Sequence, residues 1–281
     1  MIRSILVIFF FFVFFVFGLP VVGILFLIRR NHPEKSSWAT RAIIREFLRF
    51  ELWVSGTKVE AEGLDNIPDD EACLFVGNHQ SYYDILCTYI WMKRPTGFIA
   101  KKETRLVPVM GWWMILLNCL FLDRSNIRQG LETIKKAIEY VEQGTSIFIY
   151  PEGTRNKNKD KTDLNEFKEG SLRIAQRAGC KVVPVAISGT ADIYENHKPF
   201  VRSAKVKVVF CEPFRIADLP KEQQKKSAAY CRDIIMRQLK GPDWKPQDNA
   251  APAQTVPANT EPTQPAPEKA AAAGGNHSQD D

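Results

Sequence analysis

Four places where an apolar run ends in polar residues hold the side chains most able to do chemistry. The first is Asn78-His79-Gln80-Ser81-Tyr82-Tyr83-Asp84, where Ser81 stands three residues before Asp84, the spacing of a capping box at a helix start. A histidine at such a helix mouth faces the positive end of the helix dipole, which disfavours imidazolium and keeps a neutral base available. One turn further on, Asp84 can hold the other ring nitrogen and fix the tautomer. The same residues also read more plainly, as a capping acid and a solvated loop histidine.

The second place is Phe121-Leu122-Asp123-Arg124, whose arginine can bind an anion through a bidentate fork or simply pair with Asp123. The third follows Ser146-Ile147-Phe148-Ile149-Tyr150 as Pro151-Glu152-Gly153-Thr154-Arg155. There Pro and Gly force a tight turn, Gly153 lets a ligand approach the backbone, and Arg155 supplies a phosphate fork, unless this is a surface turn with an incidental acid and base. The fourth is Val183-Pro184-Val185-Ala186-Ile187-Ser188-Gly189, where a proline inside a strand removes a ladder donor and suits an edge or a bulge.

Other chemistries lack their residues. There is no G-x-S-x-G elbow, no G-x-x-x-x-G-K-[ST] and no G-x-G-x-x-G, and the histidines at 32, 79, 197 and 277 are too scattered for a metal site. Without an evident serine or cysteine nucleophile, a histidine base near an anion site suggests direct activation of an alcohol on a bound phosphorylated substrate.

The elements that must position these residues are legible from periodicity. From 57 to 240 short β-rich runs alternate with helical patterns: strands at 57–62, 72–78, 97–101, 119–123, 146–150, 182–188 and 205–210, and helices over 82–92, 107–118, 126–143, 169–177 and 221–240. This alternation predicts an α/β fold with a mostly parallel sheet covered by helices and ligands at the C-terminal ends of its strands. Residues 38–54 place Arg41, Arg45 and Arg49 on one helical stripe and Ile43, Phe47, Phe50 and Val54 on the opposite one. Such a basic amphipathic helix packs on a core or lies in an anionic membrane interface.

Composition sets the surroundings. Residues 5–28 carry no charge and eight Phe, and as one helix at 1.5 Å per residue would reach roughly 36 Å, beyond the roughly 30 Å hydrocarbon core. Gly18 and Pro20 divide the run, so a bent or re-entrant anchor competes with a spanning helix. Arg29, Arg30, Lys35, Arg41 and Arg45 on its C-terminal side against Arg3 on the other place the main domain on the cytoplasmic face of the membrane. Residues 1–241 hold 36 basic and 26 acidic residues, a balance of +10, which points to anionic partners. Six widely spaced cysteines without C-x-x-C read as buried reduced thiols. Three regions follow: an anchor and basic helix over 1–56, an α/β domain over 57–240, and a tail over 241–281 with seven of the 17 prolines and too little apolar content to fold.

Taken together, NHQSYYD, FLDR, YPEGTR and VPVAISG, in this order and at these intervals, resemble the four motif blocks of the glycerolipid acyltransferase family, in particular its bacterial 1-acyl-sn-glycerol-3-phosphate acyltransferases. The resemblance covers about residues 75–190, and Phe167-Lys168-Glu169-Gly170 looks like the segment after the third block. Tyr150 stands where many members carry Phe, and the Pro/Ala tail has no counterpart. The resemblance implies that His79 takes the proton from the free hydroxyl of lysophosphatidic acid as it attacks the thioester of acyl-CoA or acyl carrier protein, with Asp84 orienting and stabilising the imidazolium. Such a base is worth about 10²–10⁴ in rate. The family further implies that Arg124, Glu152, Gly153, Thr154 and Arg155 hold the glycerol phosphate, Glu152 bonding a hydroxyl and the arginines pairing the phosphate, with Lys101 a further phosphate candidate. No metal or cofactor is implied, and no residue is identified as the oxyanion donor.

Within the family the acceptor can instead be glycerol 3-phosphate, a lyso-ornithine lipid or another lysophospholipid. A second class is a lysophospholipase or thioesterase that activates water or Ser81, against which the missing nucleophile elbow counts. A third is a non-catalytic lipid-binding protein, and nucleic-acid binding has no motif to support it. The partners expected are thus lysophosphatidic acid, an acyl donor and anionic membrane lipid.

Overall fold

The sheet is built from buried runs whose position in it follows from how many of their faces are covered. A computed structural model describes residues 1–123 and 126–244; Arg124 and 245–281, the bulk of the expected tail, lie outside the described residues. Three helices come first, α1 (Ile2–Phe17), α2 (Leu19–Asn31) and α3 (Pro33–Ser55). The chain then runs through β1 (Lys58–Glu62), β2 (Leu74–Gly77), α4 (Tyr83–Tyr89), β3 (Thr96–Lys101), α5 (Met110–Leu116), β4 (Leu120–Leu122), α6 (Ile127–Glu142) and β5 (Ser146–Ile149). It closes with α7 (Arg173–Ala178), β6 (Val182–Ser188), β7 (Lys205–Phe210), α8 (Lys221–Lys225) and α9 (Ser227–Lys240).

The strands form one seven-stranded sheet in the order β1-β7-β6-β2-β5-β3-β4. Every pairing is parallel except β6 with β7. Central β2 and β5 are buried at every position, as strands covered on both faces must be, whereas β1 at the edge alternates. Along β2, Phe75 joins the core beneath α3, α4 and α5, while Leu74 and Val76 join the core beneath α6, α7 and α9. Successive side chains of one strand thus serve two layers. All six cysteines are free and buried, as their apolar contexts predict.

Two helical expectations need correction. The stretch 221–240 is two helices, broken at Lys226, whose φ of −117° and ψ of 39° leave the helical basin. The segment 169–177 opens as a 3₁₀ turn over Glu169–Ser171 before α7 begins. The apolar run is likewise not one helix: α1 ends at Gly18, Pro20 starts α2, and the two are bent by 50°. No single helix among the described residues is long and apolar enough to cross a membrane, although the bent pair together has the length and composition.

The N-terminal helices dock on the domain. Phe14 stacks on Phe47 of α3 at 3.7 Å and on Trp113 of α5 at 5.1 Å, so the stripe of α3 opposite its arginines is covered by α1. Arg29 donates to the carbonyls of Ile115 and Leu116 and to Asn118 Oδ1. Arg41 leaves the basic stripe to donate from Nε and Nη2 to the Met92 carbonyl.

The most strongly buried face of α3 carries Ile44, Leu48 and Leu52, and among them Glu51, 1% exposed with neither carboxylate oxygen hydrogen-bonded among the described residues. Burial pushes its carboxyl up to about 8. Between about pH 4.5 and 8 the unfolded chain gives up a proton that the folded chain retains, so stability falls as pH rises through this window. Glu51→Gln is therefore expected to match the parent near pH 5 and to exceed it at pH 7 by on the order of 2 kcal/mol. Thermal unfolding at the two pH values measures this, and an equal difference at both would refute it.

Candidate active site

Because β2, β3, β4, β5 and β6 are mutually parallel, their C-terminal ends share one edge of the sheet, and among the described residues those singled out from the sequence gather at that edge. The loop after β2 is pinned first. The buried Asn78 amide extends the ladder beyond the strand, donating to the Ile187 carbonyl at 2.9 Å and accepting the Ile187 N–H at 2.8 Å. Gln80 Nε2 donates to the same carbonyl at 3.0 Å.

Between these anchors stands His79. Its Nδ1 lies 2.7 Å from Asp84 Oδ2. The same oxygen accepts the N–H groups of Gln80 at 2.6 Å and Ser81 at 2.8 Å. An oxygen that takes two N–H donors is acting as an acceptor, so Nδ1 carries the proton towards it and Nε2 is left as the basic nitrogen. No group among the described residues engages Nε2. The imidazole also stacks on Tyr150 at the end of β5, centroids 4.1 Å apart and planes 16° from parallel. Its side chain is 18% exposed, whereas Asp84 is fully buried. Asp84 Oδ1 accepts the hydroxyl of Thr190 at 2.5 Å.

Glu152 sits behind the histidine. Its Oε1 accepts the His79 N–H at 2.8 Å, and its Oε2 accepts the backbone N–H and side-chain amide of Asn165 at 3.1 and 2.9 Å. Burial pushes this carboxyl up, and those three donors together with His79 pull it back. In this arrangement Glu152 ties the loop after β2 to the loop after β5, both of its oxygens committed to protein donors. Gly153 adopts φ +72°, the left-handed region, and closes a turn in which its N–H donates to the Tyr150 carbonyl. A Cβ there would come within 3.1 Å of Lys168 Nζ.

Arg155 reaches the same loop from the other side. It donates from Nη1 to Glu195 Oε1 at 3.0 Å and from Nη2 to the Tyr82 hydroxyl at 3.1 Å, with its guanidinium 3.8 Å from the centre of the Tyr82 ring. Glu195 Oε1 accepts the Tyr82 N–H as well. Thr154 is exposed. Lys101 ends β3 on the same edge, exposed and paired with Glu103 at 3.3 Å. The structure thus joins His79, Asp84, Glu152 and, through Tyr82, Arg155. It makes no contact from Lys101 to that group among the described residues, and Arg124 lies outside them.

Thr190, Asn165 and Glu195 carry no signal in the sequence, because each acts across a long loop or a neighbouring strand. Thr190 follows directly on the fourth motif block, which is the nearest thing to a clue. Ser81 is fully buried, and its hydroxyl accepts the Tyr83 N–H at 3.0 Å. It stands beside the base as part of the helix start, not in front of it as a nucleophile. The arrangement supplies an oriented imidazole with Nε2 available, at an edge where a substrate hydroxyl can be deprotonated.

Residues 58–188 match the Acyltransferase family. The chain is similar to a chloroplastic 1-acyl-sn-glycerol-3-phosphate acyltransferase of Brassica napus, 32% identical over 68% of this chain and 58% of that protein. A second chloroplastic relative of that name, from Arabidopsis thaliana, is also 32% identical, with 49% of its length spanned. The 1-acyl-sn-glycerol-3-phosphate acyltransferase of Escherichia coli (strain K12) is 27% identical over 66% of this chain and 74% of its own. Among solved structures, the crystal structure of the 1-acyl-sn-glycerophosphate (LPA) acyltransferase from Thermotoga maritima superposes with a TM-score of 0.72 at 27% identity, covering 87% of this chain and 97% of that one.

Proposed function

Residues 58–188 match the Acyltransferase family, and on that premise we propose that this chain belongs to it and transfers an acyl group from a thioester, acyl-CoA or acyl carrier protein, to the free hydroxyl of lysophosphatidic acid, forming phosphatidic acid. The observation that carries this reading is the 2.7 Å bond from His79 Nδ1 to Asp84 Oδ2, which leaves Nε2 as a base at the C-terminal edge of the sheet. His79 Nε2 removes the hydroxyl proton as the oxygen attacks the thioester carbonyl carbon. The tetrahedral intermediate collapses with cleavage of the carbon–sulfur bond, and the leaving thiolate takes the proton back from the imidazolium. Asp84 stabilises the imidazolium between these steps. No cofactor enters the sequence.

Lysophosphatidic acid is anionic, and the cations on this edge suit it. We assign phosphate binding to Arg155 and Lys101 there and, from the motif resemblance alone, to Arg124; Arg155 must exchange its bond to Glu195 for the phosphate. Glu152, Gly153 and Thr154 shape the turn against which the glycerol lies. The acceptor is a membrane lipid, and α1 and α2 offer it a surface: Ile2, Ile5, Phe12, Phe17, Ile24 and Leu27 are exposed apolar side chains on these two helices. The bent pair is assigned to the bilayer as an anchor on the cytoplasmic face, with the exposed Arg30 at its C-terminal end on anionic headgroups.

The test follows radiolabelled lysophosphatidic acid in the detergent-solubilised full chain, with acyl-CoA and with acyl carrier protein as donors. Phosphatidic acid is the expected product, and the donor that yields it settles the carrier. Release of free fatty acid without phosphatidic acid would establish a hydrolase instead, and turnover confined to another lyso-lipid would reassign the acceptor.

A further inference from the structure

Asp84 carries its partners unevenly. His79 Nδ1 and the N–H groups of Gln80 and Ser81 all converge on Oδ2 from the loop that precedes α4. Oδ1 has a single partner among the described residues, the hydroxyl of Thr190, 106 residues away in sequence and itself fully buried. We propose that Thr190 is a positioning residue for the reaction: its hydroxyl fixes the rotation of the Asp84 carboxylate and, through it, the plane and tautomer of the His79 imidazole. This rests on the reading of His79 as the base.

The physical reason is the softness of a carboxylate's last torsion, which is broad and roughly two-fold rather than confined to staggered wells. Three donors on one oxygen direct that oxygen but leave the other free to swing about it. A hydroxyl on Oδ1 from the opposite side removes this freedom. Thr190 is suited to the task because its own backbone is fixed. It follows Gly189, at φ +83°, where a Cβ would approach the Lys205 carbonyl oxygen to 2.3 Å. It also opens a 3₁₀ turn closed by the Ile193 N–H on the Thr190 carbonyl at 3.1 Å. The hydroxyl is thus presented from the β6–β7 junction, the same stretch to which Asn78 and Gln80 tie the loop holding His79 through Ile187.

The hydroxyl also takes up part of the carboxylate's basicity. Without it, Asp84 binds the imidazolium more strongly, and protonated His79 persists to higher pH. The other titratable groups around the pair are Tyr150 against the ring, Cys87 along α4, and Glu152 behind the His79 N–H. Removing the Thr190 hydroxyl leaves the hydrogen bonds made to these groups unchanged.

The experiment compares the full chain with Thr190→Val and Thr190→Ser in detergent, using histidine labelled with ¹⁵N in the ring. His79 is assigned by the signal that disappears in His79→Gln. In Thr190→Val, kcat is expected to fall about tenfold with KM within about twofold, the loss expected of a misoriented base. The acidic limb of kcat/KM and the titration midpoint of the His79 signal are expected to move up together by about half a pH unit. Thr190→Ser restores all three. A folded Thr190→Val with parental kcat, His79 shifts and pH profile overturns the proposal. If valine prevents folding, Thr190→Ala against Thr190→Ser makes the same comparison, and equal behaviour of those two overturns it as well. Should the parent make no phosphatidic acid while the His79 signal responds as described, the acceptor assignment falls and the positioning role stands.

Discussion

Replacing His79 with alanine is expected to lower kcat by about 10²–10⁴-fold, the range a positioned general base supplies, while leaving the fold and KM nearly unchanged. The backbone bonds of this residue do not depend on its side chain. Its N–H still donates to Glu152 and its carbonyl still accepts from Asn156 at 2.7 Å. Asp84 loses one donor but keeps Gln80, Ser81 and Thr190, so the stability cost is about 1 kcal/mol. Residual turnover should lose its acidic limb, since no imidazole remains to be protonated. Steady-state kinetics across pH, with thermal unfolding as the control, read each quantity. A variant that keeps kcat would remove His79 from the mechanism. A variant that loses activity only through a raised KM would make it a binding residue.

The motif carrying that histidine was legible because local spacing sets its geometry. Ser81 and Asp84 are three apart, and a helix start brings their groups together whatever the rest of the chain does. The alternation of β-rich and helical runs likewise specified a mostly parallel sheet, and with it the edge where the site had to lie. Strand order was not legible. β2, β5 and β6 are all apolar runs, and nothing local in such a run selects its neighbours.

The same reasoning explains the contacts that periodicity did not show. Arg41 reads as one of three arginines on a basic stripe, yet α3 lies over α4 and turns it onto the Met92 carbonyl. Glu152 and Arg155 read as ligand groups, and the fold adds protein partners to them, Asn165 and Glu195. Asn165 is 13 residues from Glu152 and Glu195 is 40 from Arg155, separations at which sequence periodicity carries no information. The break at Lys226 had neither glycine nor proline to announce it, whereas Gly18 and Pro20 did announce theirs.

Asp84→Asn is expected to lower kcat by about 10²–10³-fold with the imidazole still in place. Where an amide replaces the acid of such a pair and turns its nitrogen to the ring, the tautomer inverts and the loss reaches about 10⁴. Here the surroundings prevent that turn. The N–H groups of Gln80 and Ser81 both point at Oδ2, so the amide oxygen must occupy that position, and it goes on accepting from Nδ1. The amide nitrogen then replaces Oδ1 and faces Thr190, whose hydroxyl can rotate to accept from it. Geometry and tautomer survive, and what is lost is the charge that stabilises imidazolium as the hydroxyl proton arrives. The acidic limb of kcat/KM should accordingly move to lower pH, opposite in sign to Thr190→Val. In the double variant Asp84→Asn/Thr190→Val the amide nitrogen has no acceptor in a fully buried position, and folding stability should fall by about 1–3 kcal/mol relative to Asp84→Asn. Kinetics and unfolding of the three variants check the argument: a ¹⁵N spectrum of Asp84→Asn with the proton on Nε2 would show that the amide has turned, and parental activity would show that the charge is not needed.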